Sequence, residues 1–146
     1  MKEPFVANPE GQDVELTKIA YVDDEDDIRE LGGLILQTFG EFEVRLYASG
    51  AEALAGLVDF GPNLVLLDVM MPEMDGREVF RRLAGHDILG SVPVVFITAM
   101  TSGLEELRDL GPAGIIAKPY DPARLCDEIG QMWRQYHAPD ETSAPA

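Results

Sequence analysis

The apolar positions of this chain fall into short continuous runs separated by longer amphipathic stretches. Ile19-Ala20-Tyr21-Val22 is the first run, and it stops at acidic residues. Behind it, Ile28, Leu31, Leu34, Ile35 and Phe39 make one stripe at helical spacing, with Gly40 as a stop signal. Val44-Arg45-Leu46-Tyr47 alternates weakly, as an edge strand does. Ser49 and Glu52 have the spacing of a capping box, in which each side chain satisfies the other's free backbone donor, and a helix with Ala53, Leu54, Leu57 and Val58 follows. Leu64-Val65-Leu66-Leu67 is apolar on both faces and ends at Asp68, and Gly76 to Leu83 reads as a third helix carrying Val79, Phe80 and Leu83. Val94-Val95-Phe96-Ile97 is again continuous and ends at Thr98. Ser102 with Glu105 predicts a second capping box, opening a short helix through Leu110. Ile115-Ile116-Ala117 ends at Lys118. Asp121-Pro122 opens a last helix, with an acceptor side chain at the cap and proline where no donor is needed. Its stripe is Leu125, Ile129, Met132 and Tyr136, with Trp133 alongside.

Five strands thus alternate with five helices, and the third and fourth strands are apolar throughout, as when helices cover both faces of a parallel sheet. The pattern predicts an α/β fold: a doubly wound, five-stranded parallel sheet with five helices. Right-handed crossovers and one switch point leave few strand orders, and the flavodoxin-like order 2-1-3-4-5 is the expected one. Residues 1–16, polar and containing Pro4, Pro9 and Gly11, are expected to be a flexible leader. Residues 17–137 form the folded domain, and 138–146 read as a disordered tail.

Composition narrows the partners. A length of 146 residues suits one domain with a sizeable core. The net charge of −16, from 27 acidic and 11 basic residues, repels nucleic acid and anionic membranes at long range. No basic stretch with interleaved aromatics offsets it. No apolar run approaches the roughly 20 residues of a membrane helix, and the N-terminus lacks the blocks of a signal peptide. A cytoplasmic protein that contacts neither membrane nor nucleic acid is therefore expected. Cys126 is the one cysteine, which excludes an intramolecular disulfide and a zinc spacing.

The chemistry lies where the apolar runs stop. In an open parallel sheet, ligands bind beyond the carboxyl ends of the strands. Strand one ends at Asp23 and Asp24, strand three at Asp68, strand four at Thr98 and strand five at Lys118. Each has an ordinary alternative: Asp23 and Asp24 as a helix cap, Asp68 as a turn residue before Pro72, Thr98 as a strand end, and Lys118 as a solvated side chain. Together they make a chemical set. Clustered carboxylates repel unless a hard cation sits among them, and magnesium takes oxygen ligands. A carboxylate is a competent nucleophile toward phosphorus, and a hydroxyl and an ammonium can stabilise the oxygens on which charge develops.

The string Leu64-Val65-Leu66-Leu67-Asp68-Val69-Met70-Met71-Pro72-Glu73-Met74-Asp75-Gly76 resembles the phosphoacceptor segment of response-regulator receiver domains. Asp23-Asp24 resembles their acidic pair, Ile97-Thr98-Ala99 their switch hydroxyl segment, and Lys118-Pro119 their lysine-proline signature, with the likeness running over about residues 17 to 136. The resemblance implies that Asp68 accepts a phosphoryl group from a phosphohistidine of a sensor histidine kinase or phosphotransfer protein, and that the chain then switches the binding of a downstream protein. It implies that Asp24 and Asp68 coordinate Mg2+ directly with the Met70 backbone carbonyl, that Asp23 acts mainly through water, that Thr98 and Lys118 contact the phosphoryl oxygens, and that the Lys118-Pro119 bond is cis.

Three departures from the family pattern bear on signalling. Ile115 stands where an aromatic residue is usual, three positions before the lysine. The segment from Thr98 to Lys118 is short and holds Gly103, Gly111, Pro112 and Gly114, which predicts a short fourth helix. Met70 and Met100 stand two past Asp68 and two past Thr98, positions that in the family influence access of the hydrolytic water, so the resemblance implies slow to moderate self-dephosphorylation, although both also fit a packing role. Trp133 and Tyr136 fit either the core or a homodimer surface. The competing readings are a phosphatase using an aspartyl phosphate, which Met70 disfavours because no second acid lies two residues after the nucleophile, and a phosphorylation-independent scaffold or phosphate sink.

Overall fold

The computed structural model describes residues 5–7 and 13–138. Within the stretch expected to be a leader, β1 (Phe5–Ala7) and β2 (Asp13–Glu15) pair antiparallel. The main sheet is built from β3 (Lys18–Val22), β4 (Glu43–Tyr47), β5 (Leu64–Asp68), β6 (Val94–Thr98) and β7 (Gly114–Ala117). All neighbours are parallel and the spatial order is β4-β3-β5-β6-β7, the predicted 2-1-3-4-5. Residues from 139 onward, most of the expected tail, lie outside the described residues.

The two faces of the sheet carry different helices. One core joins Ile19, Tyr21, Leu66 and Ile97 of the strands to α1 (Asp26–Phe39) and α5 (Pro122–His137). The other joins Ala20, Val22, Leu67 and Phe96 to α2 (Gly50–Phe60), α3 (Gly76–Ala84) and the short α4 (Leu104–Asp109). Strands β5 and β6 are buried along their whole length because both faces are covered. Trp133 is fully buried and belongs to the core, whereas Tyr136 is 45% exposed.

The stripe expected on α1 is corrected by the structure. Of its five residues only Ile35 is buried, and Leu31, Leu34 and Phe39 are 52%, 60% and 67% exposed. The face against the sheet is made by Gly32, Gly33, Ile35 and Leu36. A Cβ on Gly32 would collide with the Tyr21 ring, and one on Gly33 would stand 3.1 Å from Leu46 Cδ2. The helix therefore docks by its smallest residues, which a count of large apolar side chains does not register.

The caps show how local sequence sets the element ends. Ser49 accepts from the Glu52 N–H as expected, while Glu52 accepts from Ala48 N rather than from Ser49. Asp121 caps α5 through Ala123 N. The box expected at Ser102 and Glu105 does not form, since Gly103 occupies the cap position in a left-handed conformation with no side-chain bond. Gly103 and Gly111 both have positive φ and bracket the six residues of α4. The Lys118-Pro119 bond is cis.

Candidate functional site

Strand register brings the four strand ends together. Val22 pairs with Leu67, so Asp23 lies one step beyond, level with Asp68 at the end of β5. Thr98 pairs with Ala117, and the Lys118 N–H donates to the Thr98 carbonyl at 2.8 Å. A carboxylate oxygen from each of Asp23, Asp24 and Asp68 can be chosen so that all lie within 4.8 Å of one another. Asp23 and Asp68 are buried, at 0% and 3% exposure, and Asp24 is half-buried at the mouth.

Lys118 crosses this cluster. Its Nζ lies 2.9 Å from Asp23 Oδ2, 3.4 Å from Asp68 Oδ1 and 3.6 Å from Glu25 Oε1. Asp23 is held further by the Glu25 N–H on Oδ1 at 2.9 Å and by the Tyr21 hydroxyl on Oδ2 at 3.0 Å. Arg29 fixes the following turn, donating from Nη1 to the Asp23 carbonyl at 2.8 Å and pairing with Asp26 at 2.7 Å. Thr98 is buried on the neighbouring strand, and its hydroxyl accepts the Met100 N–H at 3.1 Å. Met70 lies in the loop just past β5 with its side chain exposed.

The loop after β5 is held by the tight approach of Gly76. Its N–H donates to the Val69 carbonyl at 2.8 Å, and a Cβ at this position would run into the Asp68 carbonyl oxygen and stand 2.9 Å from Val69 Cα. Asp75 caps the helix that begins there, accepting from Arg77 N at 2.8 Å and from the Arg77 guanidinium. Asp68 is thereby anchored from both sides, by the sheet before it and by the capped helix after it.

Burial and like charge set the electrostatics of the cluster. Burial, reinforced by the charge of Asp23, pushes the Asp68 carboxyl from 3.8 up to about 7, while Lys118 pulls it down. Burial also works against the Lys118 charge, but the hydrogen bond and charges of Asp23 and Asp68 outweigh it and leave the ammonium above its ordinary value. Burial and the Asp23 charge hold the Tyr21 phenol far above its usual range, so it stays a hydrogen-bond donor. Asp23, Asp24 and Asp68 bring carboxylate oxygens together beside one ammonium, and a donor set that is all oxygen fits magnesium.

Sequence reasoning named Asp23, Asp24, Asp68 and Lys118, and the structure brings them into one cluster. Thr98 stands at the adjoining strand end, with its hydroxyl turned to its own loop. Glu25 belongs to the acidic run that follows the first strand, whereas Tyr21 was not read as part of the site. The signal for Tyr21 was present, because residues two apart on a strand share a face and Tyr21 precedes Asp23 by two.

Buried carboxylates and a lysine thus gather at the carboxyl edge of a 2-1-3-4-5 sheet. The chain belongs to the response regulator receiver domain family, whose pattern matches residues 19–130. It is 35% identical over 130 residues to the response regulator Rre1 of Synechocystis sp., covering 88% of this chain and 54% of that protein. It is 39% identical over 108 residues to a protein-glutamate methylesterase/protein-glutamine glutaminase of Rhodospirillum rubrum, covering 71% of this chain and 28% of that one. The chain thus spans about half or less of the length of these relatives. Among solved structures, the chemotaxis protein CheY4 of Vibrio cholerae is similar with a TM-score of 0.73 at 28% identity, covering 80% of this chain and 98% of that one. A CheY-like receiver domain from Methanospirillum hungatei superimposes with a TM-score of 0.73 at 27% identity, covering 84% and 97% of the two chains. Among the described residues no helix is long and apolar enough to cross a membrane.

Proposed function

We propose that the chain takes a phosphoryl group onto Asp68 from a phosphohistidine of a sensor histidine kinase or phosphotransfer protein, in the cytoplasm, and so changes its binding to a downstream protein. The observation that carries this reading is Asp68 itself: a buried carboxylate with Asp23 and Asp24 beside it and the Lys118 ammonium 3.4 Å from Oδ1. An Asp68 oxygen attacks phosphorus, the nitrogen–phosphorus bond breaks, and the imidazole leaves with the electron pair. Asp24, Asp68 and the Met70 backbone carbonyl would hold Mg2+ directly and Asp23 mainly through water, and the ion when bound supplies positive charge to the phosphoryl oxygens. Lys118, already against Asp68, turns its ammonium to one such oxygen, and the Thr98 hydroxyl leaves Met100 N to serve another. The exposed Met70 and the half-buried Met100 make poor positioners of hydrolytic water, so self-dephosphorylation is slow to moderate.

Incubation with acetyl phosphate and Mg2+, followed by intact-mass spectrometry, tests the reading. One phosphoryl adduct is expected, lost in Asp68→Asn and lost on chelation of Mg2+. A wild-type chain that takes no adduct would move it to the phosphorylation-independent scaffolds.

A further inference from the structure

Tyr21 is fully buried, two residues before Asp23. Its hydroxyl donates to Asp23 Oδ2 at 3.0 Å, and Lys118 Nζ reaches that same oxygen at 2.9 Å. These two donors differ in freedom. Lys118 ends a flexible stem and faces Asp68 and Glu25 as well as Asp23. The Tyr21 ring is wedged: Gly32 of α1 lies so close that a Cβ there would collide with the ring's Cε2 and would itself stand 3.1 Å from the Tyr120 hydroxyl. At Gly32 the space left by the missing side chain is filled by this ring.

We propose that Tyr21 is the positioning residue of the cation site: its hydroxyl holds the Asp23 carboxylate in the orientation that receives a divalent cation, while Lys118 is left free to exchange Asp23 for the phosphoryl group on Asp68. The inference rests on the reading of Asp68 as phosphoacceptor, and it goes further by dividing the work on Asp23 Oδ2 between a fixed neutral donor and a mobile charged one. Groups that orient a metal ligand from behind change affinity by roughly 10- to 100-fold when removed. Tyr21 is the group so placed behind Asp23, and the glycine opposite its ring explains why the hydroxyl arrives at one point.

Tyr21→Phe keeps the ring and removes the hydroxyl alone. Calorimetric titration of Mg2+ into the unphosphorylated full chain is expected to show a dissociation constant raised about tenfold. The rate of labelling by acetyl phosphate should fall at limiting Mg2+ and recover as Mg2+ is raised. A thermal midpoint measured in a chelator reports the folding contribution separately. A lowered midpoint with an unchanged Mg2+ dissociation constant would make the hydroxyl merely structural and overturn the proposal, as would tighter Mg2+ binding. If the wild-type chain takes up neither Mg2+ nor phosphoryl, the phosphoacceptor reading fails first. If the wild type does both and the variant binds Mg2+ equally well, only the role of Tyr21 fails.

Discussion

Binding of Mg2+ to the ion-free protein should release a proton, and the pH sets how much. Burial and the Asp23 charge place Asp68 at about 7, against an ordinary 3.8, with Lys118 opposing them. A carboxyl with that value is about nine-tenths protonated near pH 6 and about one-tenth protonated near pH 8. Only the carboxylate form is a ligand, so each ion should displace roughly 0.9 proton at the lower pH and roughly 0.1 at the higher, and the apparent affinity should rise about tenfold between them. Calorimetric titration in two buffers of different ionisation enthalpy counts these protons. Equal heats in both buffers near pH 6, or an affinity flat across the interval, would refute the reasoning. The same shift sets a stability trend with a definite sign. A carboxyl raised above its unfolded value stabilises the fold while it is protonated, and Asp68's share is complete below 3.8 and lost as pH rises through about 7. Without Mg2+ that contribution declines across this window, and the gain in thermal midpoint on adding Mg2+ widens over the same range.

Two further substitutions test the frame around the site. Gly76→Ala should destabilise the chain by more than about 2 kcal/mol in urea unfolding, because the groups its Cβ would meet are backbone and cannot move aside singly; a loss under about 1 kcal/mol would show that the loop relaxes. Ile115→Phe should change stability by less than about 1 kcal/mol, since Ile115 lines a cavity of about 330 Å³ with Thr98, Met100, Leu104 and Arg108 that has room for a ring; a larger loss by the same assay would show that the space is not usable.

Two kinds of information separate in this chain. The strands and the polar residues that end them were legible because each is a local signal: a short apolar run marks a strand, and the polar residue that ends it marks the edge where ligands bind, whereas the strand order followed only from the few topologies that right-handed crossovers and one switch point leave. That rule singled out Asp23, Asp24, Asp68, Thr98 and Lys118 as a set, and the resemblance to receiver domains supplied their expected roles. The face of α1 was not legible, because periodicity weighs large side chains, whereas this helix meets the sheet through Gly32 and Gly33 and turns Leu31, Leu34 and Phe39 outward. The cap of α4 was misread for a related reason: Ser102 has the right chemistry, but the left-handed Gly103 takes the cap position. Trp133 could be assigned to the core only once α5 was packed against the sheet. At the site, sequence placed the charges, and tertiary structure decided how they are balanced. Lys118 lies 95 residues from Asp23 and shares one carboxylate oxygen with Tyr21. That sharing depends on the register of strands and on the close approach of a helix, which are properties of the packed chain and of no single segment.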